Sequence, residues 1–123
     1  MILTFETLRT RILFAWNIAV ITKPAVENRN FDGKNVPNTF YIKMGSEASI
    51  PNTLSKINEK TMNFLIDIVG ASKEDSNNYL SELERIIDYY DDGSGWWKFG
   101  TATEDDTTKI FIYNCSGYKR ALD

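Results

Sequence analysis

Apolar positions recur at helical spacing through residues 73–91, where Tyr79, Leu83, Ile86 or Ile87, and Tyr90 fall on one side. Ser72-Lys-Glu-Asp75 ahead of them resembles a capping box with Asp in place of Glu or Gln. A helix is therefore predicted over about 73–91. A second is predicted over about 50–69, with Pro51 in its first turn, Leu54, Ile57, Phe64 or Leu65, and Ile68 as its apolar stripe, and Gly70 as its stop. The short link from Gly70 to Ser72 predicts that these two helices pack as an antiparallel pair.

Elsewhere the period is two. Thr39 to Met44 alternates Phe40, Ile42 and Met44 with Tyr41 and Lys43 and predicts a strand. Trp96 to Thr101 and Thr107 to Asn114 flank a polar link, Ala102 to Asp106, and predict a hairpin. Its second strand is apolar on both faces, with Ile110 and Ile112 opposite Phe111 and Tyr113, which predicts a central or interface strand. Residues 24–37 predict a loop, bracketed by Pro24 and Pro37, with turn chemistry in Asn30-Phe-Asp-Gly33.

Residues 9–22 support two readings. As a strand, Ile12, Phe14, Trp16, Ile18 and Val20 share a face. As a helix, Phe5, Leu8, Ile12, Trp16 and Ala19 form a stripe with Thr4 as cap. The β-branched residues from Ile18 to Thr22 favour a strand in the second half, entered from a short helix over 4–10. The expected fold is α+β: a mainly antiparallel sheet of about four strands packed with two central antiparallel helices, in the order β-β-α-α-β-β, with a short N-terminal helix as an option. The length of 123 residues is that of a single domain, 1–123.

Composition narrows the chemistry. With no histidine, the chain lacks the commonest general base and metal ligand, and with one cysteine, Cys115, it can form no internal disulfide. The single thiol points to a reducing, cytoplasmic setting. A net charge of −3 disfavours nucleic acid as a partner. The apolar run Ile12–Ile21 is shorter than the ~20 residues a spanning helix needs and is interrupted by Trp16 and Asn17, so it is read as core and no membrane partner is expected. The Asn114-Cys115-Ser116 acceptor pattern carries little weight. No metal site and no cofactor are expected: the aspartates near residue 90 lack the spacing of a calcium loop, and Gly95 to Thr101 lacks the lysine of a phosphate loop and places bulky aromatics where a backbone cradle would be.

The most informative stretch is Asp88-Tyr-Tyr-Asp-Asp-Gly-Ser-Gly-Trp-Trp97. Carboxylates at a helix C-terminus oppose the macrodipole, and a broken local rule marks a candidate site. Asp88, Tyr89, Asp91, Asp92 and Trp97 are candidates for binding a protein with a basic surface. One tryptophan of the pair is expected to be buried and one to be free for contact. The competing explanation is an Asp-Gly turn after a helix. Glu82, Glu84 and Asp88 are read as a solvated helix face, with Arg85 answering Glu82. Arg9, Arg11, Tyr113, Lys119 and Arg120 are an alternative set that could hold a small, nucleotide-like anion at a subunit interface of a homo-oligomer.

The resulting expectation is a non-enzymatic acidic module of inhibitor or immunity type, with a small-molecule binder as the alternative. An enzyme comes third, because no nucleophile–base motif is visible.

Overall fold

The computed structural model describes residues 2–29, 36–52, 57–105 and 111–122. Its elements are α1 (Phe5–Phe14), β1 (Ala25–Glu27), β2 (Thr39–Asn52), β3 (Ile57–Gly70), α2 (Lys73–Ile87), β4 (Tyr90–Asp91), β5 (Trp96–Asp105) and β6 (Phe111–Leu122). The strands form one curled, half-barrel sheet in the order β1-β2-β3-β6-β5-β4. β1 runs parallel to β2, and every other neighbouring pair is antiparallel.

This corrects the expected architecture of four strands around two central helices. The largest error is the helix over 50–69. Its described part belongs to β2 and β3, and residues 53–56, including Leu54, lie outside the described residues. The reason is visible from 62 to 68, where Met62, Phe64, Ile66 and Ile68 are buried while Asn63 and Leu65 are exposed. That alternation has period two, and a helical stripe can be drawn through it only by choosing among adjacent apolar residues. Pro51 starts no helix: it stands in β2 opposite Asn58, and no described strand flanks β2 there on its other side, a place where a missing N–H is tolerated. Gly70 ends β3, where the N-terminal turn of α2 comes so close that a Cβ would lie 2.2 Å from Ser76 Oγ.

The two helices among the described residues are α1 and α2. In α1 the helical reading of the N-terminal region holds from Phe5 to Phe14, with Thr4 Oγ1 accepting from Thr7 N at 3.2 Å. Leu8 and Ile12 are buried. No strand follows: the chain turns, Trp16 inserts into the core and donates to Ile21 O at 3.0 Å, and Ile18 and Val20 are exposed. In α2, Ser72 Oγ accepts from Asp75 N at 3.1 Å, as the capping pattern predicts. The helix stops at Ile87, short of residue 91. The loop expected over 24–37 contains the short strand β1, and Asn30 to Gly33 lie outside the described residues. The expected link Ala102 to Asp106 is strand as far as Asp105, and 106–110 lie outside the described residues.

Both helices cover one sheet face. Phe40, Ile42, Met62, Phe64, Ile66, Ile68, Trp97, Phe99 and Cys115 point inward against Leu8, Ile12, Tyr79, Leu83, Ile86 and Ile87. Trp16, Phe40 and Tyr79 form an aromatic cluster with centroids 5.6–5.7 Å apart. A smaller group, Tyr41, Val69 and Ile112, is buried on the other face. β6 accordingly carries apolar residues on both faces and lies between β3 and β5.

Cross-strand partners line up in rows across the sheet. One row runs Ala25–Thr39–Val69–Ile112–Asp105, and the row two positions along runs Glu27–Tyr41–Asp67–Asn114–Thr103. Further up the sheet, rows run Glu47–Met62–Lys119–Trp97–Tyr90 and Ala48–Thr61–Arg120–Trp96–Asp91.

Candidate functional site

The end of α2, β4 and the start of β5 hold the candidate stretch. Asp88 is the C-cap of α2, with extended backbone, and its N–H donates to Glu84 O. Its carboxylate does not face α2 unanswered: Oδ1 accepts from Lys98 Nζ at 2.9 Å and from Phe99 N at 3.2 Å. The α2 C-terminus receives its cation from elsewhere. Arg11 of α1 donates Nε and Nη2 to Ile86 O at 3.2 and 3.0 Å, and its guanidinium lies 3.5 Å from the Tyr90 ring centroid. That is the charge the helix dipole favours at this end. Tyr89 turns the chain with a left-handed φ of 58°, and its exposed ring lies 3.8 Å from Lys98 Nζ.

Asp92 organises the turn that follows. Oδ1 accepts from Ser94 N, Ser94 Oγ and Gly95 N, and Oδ2 accepts from Trp97 Nε1 at 2.9 Å and Lys119 Nζ at 2.6 Å. Burial alone would raise its carboxyl pKa, but the bonds from Lys119, Ser94 and Trp97 outweigh burial and hold it far below the usual carboxylate range. Asp91 Oδ1 accepts from Gly93 N, and Gly93 takes φ 87°, a conformation natural to glycine. Asp91 alone of the three aspartates is exposed.

The candidates therefore separate into different environments. Trp97, expected outside, is buried at 1% exposure, with its ring edge-on to Tyr90. Trp96 is the exposed member at 39% and lies against Arg120 and Tyr118 on the opposite face. The anion-binding set does not converge. Lys119 is buried and bonded to Asp92 and Ser94, and Arg120 is ion-paired with Glu59. Tyr113 bonds Asn77, and Arg9 is exposed on α1. Of that set, Lys119 and Arg120 meet the 88–97 stretch from β6, and Arg11 meets it from α1, in an open groove of about 450 Å³ lined also by Phe14, Tyr90, Asp92 and Trp97.

Glu82, expected on a solvated face, is buried. It accepts from Asn17 N at 3.2 Å and Arg85 Nε at 2.9 Å, while Arg85 Nη2 donates to Ala15 O, so the pair clamps the turn after α1. Its buried role was hidden in the sequence because a Glu–Arg pair three residues apart looks the same on an exposed helix.

The chemistry available is limited. Ser94 Oγ lies 2.8 Å from Lys119 Nζ, but the ammonium also donates to Asp92, so it cannot accept the hydroxyl proton as a base must. Burial pushes the Cys115 thiol up to about 12, with Asp67 and Glu84 adding to the shift, so the thiolate a nucleophile needs is suppressed. Among the described residues no three acidic or cysteine side chains converge as a metal set. No described helix is long and apolar enough to cross a membrane.

No protein family and no curated protein sequence matches the chain. Among solved structures, the fold is similar to that of a chain in the virion of a native gene transfer agent particle. The TM-score is 0.65 at 12% identity, covering 97% of this chain and 94% of that one.

Proposed function

We propose that this chain is a non-enzymatic assembly subunit of a virion-like particle, binding further protein subunits and working in several copies. The observation that carries the reading is the end-to-end likeness of fold to a chain of a virion particle, which leaves almost no part of either chain without a counterpart. The environment of the candidate residues favours the same direction. Asp88 and Asp92 are engaged by Lys98 and Lys119, which leaves Asp91 as the exposed aspartate of the stretch that would face a basic partner. The cations of the small-anion alternative are held apart by their own partners. What faces outward instead is sheet edge and scattered apolar surface: Phe14 at 88% exposure, Ile18, Leu65, Tyr89 and Trp96. Native mass spectrometry and sedimentation velocity on the purified chain test the reading. Discrete multimers that grow with concentration are expected, and a monomer throughout the micromolar range would overturn it.

A further inference from the structure

The two edges of the sheet are stepped, and the steps are complementary. At one edge β1 flanks only Thr39–Tyr41 of β2, at the lower end of the sheet. At the other, β4 flanks only Trp96 and Trp97 of β5, at the upper end. No described strand pairs with the outer side of Thr103–Asp105 in β5, or with that of Glu47 and Ala48 in β2. The rows show that these openings match. β1 occupies the rows of Asp105, Glu104 and Thr103, and β4 occupies the rows of Glu47 and Ala48. Each edge carries a short strand at the height where no described strand flanks the opposite edge.

We infer that copies of this chain join head to tail along these edges: β1 of one copy enters beside Thr103–Asp105 of the next, and that copy's β4 enters beside Glu47 and Ala48 of the first. The inference rests on the assembly reading above and names its surface and its partner, a second copy. Strand direction agrees. β2, β3, β6 and β5 alternate in direction, and β1 runs parallel to β2, so β1 lies antiparallel to the β5 of an identically oriented neighbour. Pleat phase agrees as well. Row-keeping pairs Val26, which packs toward the helix-covered core, with Glu104, the row-mate of the core-packed Tyr113. It pairs Glu27 with Thr103 and Ala25 with Asp105, all on the other face, and antiparallel partners must share a face. The edge Gly100–Glu104 is exposed and contains no proline or lysine, the usual protection of an edge that stays single. A join of this kind is heterologous, so it propagates to a closed ring or a filament.

Cysteine pairs in one row test the join. Within a chain, Glu27 and Thr103 stand four strand steps apart, about 19 Å at ~4.8 Å per step, beyond the reach of a disulfide. Mild oxidation of the Glu27→Cys/Thr103→Cys protein therefore yields a ladder of covalent multimers on a non-reducing gel, whereas either single variant stops at dimer. Ala25→Cys with Asp105→Cys does the same two rows along, and circular dichroism on both pairs checks the fold. Multimers in solution without a ladder from either folded pair overturn the edge join and leave the assembly reading standing. A monomer at every concentration overturns both.

Discussion

Replacing Asp92 with Asn keeps the shape of the side chain and removes its charge from beneath Lys119, which is 3% exposed. The amide still has one oxygen for the turn but leaves a buried ammonium without its counter-ion. Breaking a buried pair from one side costs about 3–5 kcal/mol, and because the Asp92 side chain is itself 15% exposed, water softens this to about 2–3 kcal/mol. Urea unfolding at pH 7 measures it; with a slope of ~1.5 kcal/mol per molar, the midpoint falls by about 1.3–2 M. Acid supplies a second signature. The folded-state pKa of Asp92 is depressed, so its contribution is full above the unfolded value of about 3.9 and is lost as pH falls toward the folded one. At pH 3 the unfolded carboxyl is mostly protonated and the folded one is not, so the gap between wild type and variant narrows by about 1 kcal/mol. Asp92→Asn combined with Lys119→Met recovers part of the loss, since no charge is then left buried. A single variant within about 0.5 kcal/mol of wild type at pH 7, or a gap that widens in acid, would refute the view that Asp92 holds this turn through Lys119.

Trp97→Ala empties a buried site and costs about 3–5 kcal/mol in urea unfolding, while Trp96→Ala stays within about 1 kcal/mol. Gly117→Ala drives a Cβ to 2.6 Å from the Phe64 ring and lowers stability by about 1–3 kcal/mol, read as a drop in Tm. The native protein does not react with a thiol-specific chromogenic disulfide at pH 8, where the buried Cys115 thiol stays protonated, and reacts promptly once unfolded in urea.

Local signals with a single physical cause were legible in the sequence. Thr4 and Ser72 cap their helices, Tyr79 and Leu83 mark the buried side of α2, and Phe40 and Ile42 alternate as a strand should. Residues 57–70 were misread because Phe64, Leu65 and Ile66 are all apolar, and contiguous apolar residues satisfy a helical and an extended period alike. Which tryptophan is buried depends on the register of β5 against β4 and β6, which is a tertiary property. The 88–97 stretch stands out in the sequence, but the cause of its composition could not be read there. The partners that make its aspartates tolerable, Lys98 and Lys119, are 10 and 27 residues further along the chain. The cation at the end of α2 comes from Arg11, 75 residues away from Ile86.

The position of β6 has a consequence for how the chain acquires its fold. Its pairs with β3 run from Gly70 with Phe111 to Glu59 with Leu122, so the middle of the sheet is closed by contacts distant in sequence. Until that last strand arrives, β2–β3 on one side and β4–β5 on the other have no common ladder, and α2 has only part of its floor. Order must then come late and nearly all at once, on the millisecond-to-second scale typical of non-local topologies. A growing chain emerging from a ribosome would hold two unjoined sheet fragments until residues 111–122 were free, so deleting them removes the cooperative transition itself.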